Sequence, residues 1–363
     1  MASADDVNAA VVRAHSAQPD WLATPVSQRL RVLKSFQQLL TQRKREIAAT
    51  ITSEAGKPVA EALLTEVLVV LDAARFLLNE VHAFLRDERV PHGSLATKAK
   101  RGRIIREPYG VIGIISPWNY PFAIPATQTL AALATGNAVV LKPSELTPYS
   151  SLALAKLLND AGLPPDLLSV VVGDGSIGAA LVEAPIDKLV FTGSVSTGKR
   201  IAQTAAQRLL PVLLELGGKD AMIVFEDADL EIASSGAVWG AFVNAGQACL
   251  SVERCYVQRG VYVVRADRAG YAGNLQPAVD DVRIEGSAFR DADGVFHGGI
   301  VVVVMKQPLV AVLGLDGEIV GLGVNYNFCV VEVFLRLSEL QRVNLDLVAV
   351  PAGNVHLPIH VAD

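Results

Sequence analysis

The chain has 363 residues, of which 51% are hydrophobic and 19% charged, and a formal net charge of −5. That length accommodates two or three domains around a large core, and the composition is that of a folding chain rather than a disordered one. The mild acidity, with a pI near 5.7, argues against nucleic acid or an anionic membrane as the main partner.

Over residues 29–51 the apolar side chains Val32, Leu33, Phe36, Leu39, Leu40, Ile47 and Ile51 recur at helical spacing. Glu54-Ala55-Gly56-Lys57-Pro58 stops that helix. A second helix over residues 59–86 carries Leu63, Val67, Val70, Ala74, Leu77 and Val81 on one face. Two apolar runs, 103–106 and 111–116, flank the turn signal Pro108-Tyr109-Gly110 and read as an antiparallel pair. After Pro117-Trp118-Asn119-Tyr120-Pro121-Phe122, residues 123–134 read as a helix that tolerates Pro125 in its first turn.

The rhythm then becomes regular: strand 138–141, helix 150–161, strand 168–172, helix 176–183, strand 189–192, helix 196–208. Strands alternating with helices of this length imply βαβ units, hence an α/β fold with a Rossmann-like, mostly parallel sheet. Such a sheet takes ligands at the carboxyl ends of its strands. Strands 212–216 and 221–224, helix 230–245 and a strand at Arg254-Cys255-Tyr256-Val257 follow. Beyond residue 260 the pattern dissolves. Residues 261–363 hold a single lysine, Lys306, with short apolar runs at 301–305, 309–313 and 329–335 that read as strands. Helical periodicity returns only at Leu337-Ser338-Glu339-Leu340.

Cys249 follows the helix-stop Asn244-Ala245-Gly246 and precedes a strand, a connection on which a thiol is exposed and backbone N–H groups are available to an oxyanion. Alone it reads as a small packed apolar residue, as most lone cysteines are. Glu215, at a strand end before Gly217-Gly218, is a base with room to move or a surface acid. Asn119 is an oxyanion donor or an ordinary turn asparagine. Gly173-Asp174-Gly175-Ser176-Ile177-Gly178 spells the dinucleotide fingerprint, but the next strand ends in Val190-Phe191-Thr192 without the acid expected about 20 residues on. It reads as a glycine turn beside a cofactor. Three cysteines, Cys249, Cys255 and Cys329, make no disulfide framework and suit a reducing compartment. The acidic start lacks an apolar leader pattern, and the apolar run at 300–305 is too short to span a bilayer, so a cytoplasmic, soluble protein is expected. His15, His82, His92, His297, His356 and His360 show no ligand spacing; Pro358 lies between the last two, and no metal site is expected.

These segments, in this order and with Phe191-Thr192-Gly193-Ser194 between them, resemble the aldehyde dehydrogenase superfamily over residues 28–260, in its NAD(P)-dependent, non-acylating branch. The resemblance implies a cofactor domain over 1–212, the start of a catalytic domain over 213–260, and a tail, 261–363, outside the family pattern. It makes Cys249 the nucleophile that forms a thioester, Asn119 the oxyanion donor and Glu215 the base for hydrolysis. It sets Ser116, Pro117, Trp118, Lys142, Glu145, Gly173, Gly193 and Ser194 against the cofactor. Lys142 and Glu145 would bind the adenosine ribose, which favours NAD while leaving NADP open, and the pyrophosphate would lie at Gly193-Ser194-Val195-Ser196-Thr197-Gly198. The substrate implied is a small aliphatic aldehyde or semialdehyde. The family is usually homo-oligomeric, but its oligomerisation hairpin and its Glu-x-Phe-Gly-Pro-like segment are not recognisable in the tail. An abrupt loss of match is the pattern a frameshift or fusion gives, so a non-catalytic remnant keeping the cofactor-binding half stands as the alternative, with a thiol esterase behind it.

Overall fold

The structure, a computed structural model, describes residues 1–91 and 101–258, together with the backbone of the strands Val263–Arg265, Arg283–Glu285, Phe289–Arg290, Phe296–His297, Val301–Val304, Val310–Leu313 and Ile319–Leu322. It divides into two compact units, the first Met1–Gly217 and the second beginning at Gly218.

The first unit begins with a helix that the sequence analysis missed, α1 (Ala4–Ala23). Ser3 and Asp6 form a capping box at its start, and Val7, Ala10, Val11, Ala14 and Trp21 form its buried face. The Trp21 indole donates to the Leu133 carbonyl at 2.9 Å. Helix α2 (Val26–Ala55) stops where the sequence indicated, because Gly56 adopts a left-handed φ of 72° that other residues take only under strain. The next helical stretch is continuous but not uniform. It runs as α3 (Val59–Ala62), a π turn (Leu63–Val67) and α4 (Leu68–Phe84).

Strands β1 (Glu88–Val90) and β2 (Gly102–Ile104) pair with each other in antiparallel fashion. This corrects the expected pairing of the 103–106 run with 111–116. Strand β3 (Val111–Ile115) has all five residues buried, and a strand with no polar face is satisfied only with both faces covered, as in the middle of a parallel sheet. The β1–β2 ribbon is exposed and carries ion pairs instead, Arg103–Asp87 at 3.3 Å and Arg106–Glu88 at 2.9 Å.

From β3 the chain alternates as expected through α5 (Ala123–Ala134), β4 (Ala138–Lys142), α6 (Pro148–Asp160), β5 (Leu168–Val170), α7 (Gly175–Glu183), β6 (Lys188–Gly193), α8 (Val195–Ala206) and β7 (Val212–Leu216). The sheet order is β5-β4-β3-β6-β7, with every pair parallel. The chain winds outward from β3 through β4 to β5 and then returns to β6 on the other side of β3. The connections leaving β3 and β6 therefore diverge, and that is the switch point at which such sheets bind ligands. Strand β7 is part of this sheet, so the first unit closes at Gly217.

In the second unit, β8 (Asp220–Val224) pairs in parallel with β9 (Val252–Val257), and α9 (Leu230–Phe242) connects them. Asp229 caps α9 by accepting from the N–H groups of Glu231 and Ile232 at 3.0 and 3.1 Å. The helix is apolar nearly all round, yet Ile232 is 71% and Trp239 62% exposed. Further strands follow: β10 (Val263–Arg265) pairs with β11 (Arg283–Glu285), and β12 (Phe289–Arg290) with β13 (Phe296–His297). β14 (Val301–Val304), β15 (Val310–Leu313) and β16 (Ile319–Leu322) form a three-stranded antiparallel sheet. The strands expected at 301–305 and 309–313 are thus present. The run at 329–335, the periodic stretch at 337–340, Cys329, His92, His356 and His360 lie outside the described residues. Among the described residues no helix is long and apolar enough to cross a membrane, and no cluster of three or more His, Cys, Asp or Glu is placed to hold a metal ion.

Candidate active site

The carboxyl edge of the five-stranded sheet collects most of the candidate residues in one row. Gly173 lies beyond β5 and Lys142 ends β4. Ser116 follows β3, Gly193 ends β6, and Glu215 is the penultimate residue of β7. The backbone fixes this row: the Ser116 N–H donates to the Lys142 carbonyl at 3.1 Å, and Thr192 is in register with Glu215. The Gln128 amide of α5 donates to the Thr192 hydroxyl at 3.0 Å, tying α5 to the end of β6.

Lys142 is buried, with its ammonium 3.3 Å from the Glu145 carboxylate, whose side chain is 48% exposed. The Glu145 backbone N–H, and then the Lys142 ammonium, hold the Glu145 carboxyl below the usual carboxylate range. The exposed end of this pair is a hydrogen-bond acceptor with a cation behind it. Ser116 Oγ is buried and has no hydrogen-bond partner among the described residues, as is also true of the Thr52, Thr129, Thr147 and Ser151 hydroxyls. Pro117 is half-buried and Trp118 exposed. Glu215 is exposed too.

Four helices start from this edge, and their N-termini differ in a way the sequence did not disclose. At α5, Glu66 Oε2 accepts from the N–H groups of Phe122 and Ala123 at 2.8 and 3.1 Å. At α6, Glu54 accepts from the N–H groups of Tyr149 and Ser150, the latter at 2.8 Å, and from the Ser150 hydroxyl. At α7, within the G-x-G-x-x-G turn, Asp174 accepts from the Ser176 hydroxyl and N–H, which hold its carboxyl below the usual range. Each of these three helix starts already holds a carboxylate. The fourth, α8, is capped by a neutral group: Ser194 Oγ accepts from the Thr197 N–H at 3.3 Å. Gly198 in its first turn sets the helix close against the sheet, since a Cβ there would lie 2.6 Å from a Leu216 methyl.

Asn119 is half-buried in the loop between β3 and α5. Its Oδ1 accepts from the Tyr120 N–H at 3.1 Å, which fixes the branch of the amide that carries the NH2. Cys249 belongs to the second unit. Helix α9 ends at Phe242, short of the expected 245, because the turn Val243–Gly246 carries Asn244 and Ala245 at positive φ, 55° and 56°. The Asn244 amide donates to the Gln247 carbonyl, and the Ser251 hydroxyl to the Gly246 carbonyl, both at 3.1 Å. Ala248 is buried and Cys249 exposed, so Cys249 is not the packed apolar residue of the dull reading. A Cβ on Gly218 would lie 2.8 Å from an Asp220 carboxylate oxygen and in ordinary contact, at 3.7 Å, with the Cys249 carbonyl oxygen. Cys255 is half-buried, and burial pushes its thiol pKa up.

The sequence pattern of the aldehyde dehydrogenase family matches residues 1–270. The chain belongs to that family. The match begins at residue 1 rather than near 28, so α1 lies within the family pattern. Over 242 residues the chain is 43% identical to 4,4'-diapolycopene aldehyde oxidase of Methylomonas sp, covering 67% of this chain and 46% of that protein. Over 256 residues it is 40% identical to betaine aldehyde dehydrogenase 2 of Rhizobium meliloti, covering 70% and 52%. The structure of the NAD+ complex of an aldehyde dehydrogenase from Bacillus cereus superposes with a TM-score of 0.68 at 37% identity, over 72% of this chain and 53% of that one. The chain thus spans about half the length of the relatives it matches.

Proposed function

We propose that this aldehyde dehydrogenase family member binds NAD along the carboxyl edge of its first sheet and oxidises an aldehyde to a carboxylate through a thioester on Cys249. One observation carries the cofactor reading: of the four helix starts on that edge, only α8 lacks a carboxylate among the described residues. A dinucleotide pyrophosphate is repelled from the other three and attracted to free N–H groups at the fourth. Gly193 and Ser194 would hold it there. The Glu145 carboxylate, with Lys142 behind it, would accept from the ribose hydroxyls and repel a 2′-phosphate, and Ser116, Pro117, Trp118 and Gly173 would line the rest. The bound cofactor supplies a hydride acceptor.

The chain's own residues supply the remainder. Cys249 as thiolate adds to the aldehyde carbon, and the Asn119 amide with the Cys249 N–H stabilises the oxyanion. Once the hydride has left that carbon, the oxyanion collapses to a thioester. Glu215 removes a proton from water, whose oxygen attacks the thioester. The C–S bond breaks, and the carboxylate leaves with Cys249 restored. In this reading residues 1–212 serve the cofactor and 213–260 carry base and nucleophile. A second reading, a chain that binds the cofactor without turnover, draws support from the exposed apolar surface of α9.

Titration of the full chain with NAD tests the cofactor site without needing turnover. Ser194→Asp, which places a fourth carboxylate at a helix start, should weaken NAD binding by roughly ten- to thirtyfold. Glu145→Ser should narrow the ratio of NADP to NAD dissociation constants, because it removes both a ribose acceptor and a repulsive charge. Unchanged NAD affinity in the first variant would move the pyrophosphate away from α8. An unchanged ratio in the second would remove Glu145 from the ribose.

A further inference from the structure

The loop that carries Asn119 is gripped at both ends by one buried ion pair that the reaction above does not use. Lys57 comes from the turn after α2 and Glu66 from the π turn, and their side chains are 1% and 0% exposed with Nζ and Oε1 2.7 Å apart. Lys57 Nζ also donates to the Asn119 carbonyl oxygen at 2.8 Å and sits 4.1 Å from the centroid of the Tyr120 ring. The second Glu66 oxygen accepts from the N–H groups of Phe122 and Ala123, where α5 begins. One pair therefore holds residues 119, 120, 122 and 123, on either side of Pro121.

Stability alone does not account for the pair. Burial pushes the Lys57 pKa down, while the neighbouring Glu66 carboxylate acts in the opposite direction. Buried pairs of this kind add little to stability compared with apolar side chains of the same shape, and they cost much when one partner is removed. What they supply is a fixed geometry. Here the π turn sets Glu66 beneath the start of α5, and such turns recur at functional sites.

We propose that Lys57 and Glu66 are positioning residues: their buried pair clamps the 119–123 loop and so fixes the Asn119 amide as oxyanion donor in the aldehyde oxidation proposed above. The clamp itself, unlike its use, does not rest on that reaction.

Hydrogen exchange in the unmodified full chain tests the clamp first. The leading N–H groups of a helix have no partner within the helix and ordinarily exchange fast. The Phe122 and Ala123 amides should instead be protected, and exchange at the rate of an open helix end overturns the proposal. Kinetics then test its use. Glu66→Gln alone strands a buried ammonium and risks misfolding, so the variant combines Lys57→Met with Glu66→Gln, leaving no buried charge. This double variant should lower kcat by roughly ten- to a hundredfold while the KM for NAD stays unchanged. Placed on an Asn119→Ala background, the same two changes should cost almost nothing further, because they act through Asn119. A full additional loss on that background would mean a general structural role and overturn the assignment, as would unchanged kcat in the double variant. If the unmodified chain shows no turnover but has protected amides, the proposed reaction fails and the clamp stands.

Discussion

Replacing Cys249 by serine should abolish aldehyde oxidation, by roughly a thousandfold or more, while leaving NAD affinity intact. The hydroxyl differs from the thiol by one atom and fits the same exposed turn, so the substitution changes chemistry rather than packing. An alcohol is a poor nucleophile unless an adjacent base takes its proton, whereas a thiol is partly ionised near neutral pH and intrinsically more nucleophilic. The residues proposed to hold the cofactor lie on the sheet edge of the first unit. Cys255→Ser serves as the comparison. That thiol is half-buried with its pKa raised, and its loss should leave turnover within a few-fold of the unmodified chain. Residual activity above a few per cent in Cys249→Ser, measured as reduced nicotinamide formed per enzyme, would assign the nucleophile elsewhere.

Glu215→Gln should leave the first half of the reaction running and stop the second. Glutamine matches glutamate in size but cannot accept a proton from water, so the thioester would form and persist. Rapid mixing should give about one equivalent of reduced nicotinamide per active site in a burst, followed by turnover slower by roughly a hundredfold or more. The exposure of Glu215 at the end of β7, just before Gly217 and Gly218, gives the carboxylate freedom to swing between positions. A variant without a burst, or with normal steady-state turnover, would take hydrolysis away from Glu215.

The sequence disclosed the parallel sheet because its physics is local. Strands such as Val111–Ile115 and Ala138–Lys142 are uninterrupted apolar runs, and the helices between them carry recognisable starts and stops. It misled where one local signal serves two topologies: Pro108-Tyr109-Gly110 turns the chain equally well into a hairpin or into a separate sheet, and only the burial of β3 decides between them. Helix α1 is only faintly legible despite the capping signal Ser3-x-x-Asp6, because Pro19 stands inside it and its buried face, Val7, Ala10, Val11 and Ala14, is made of small side chains. At the candidate site, Lys142 and Glu215 are legible as strand ends, whereas Ser116 and Gly193 enter through the family resemblance. The carboxylates at the helix starts are not legible. Glu54 reaches a helix that begins at Pro148, Glu66 one that begins at Ala123, and no spacing rule connects residues so far apart. The Lys57–Glu66 pair was hidden for the same reason, since it depends on a π turn in what reads as an ordinary helix.

The most direct test of the central claim is an assay of the purified full chain with a small aliphatic aldehyde, in the presence and absence of NAD, following the absorbance of reduced nicotinamide. Reduced cofactor appearing only when aldehyde and NAD are both present, with an equal amount of carboxylate formed, is the predicted result. NAD that binds, as judged by titration, yet is never reduced by any aldehyde offered would contradict the proposed reaction and leave a cofactor-binding chain without turnover.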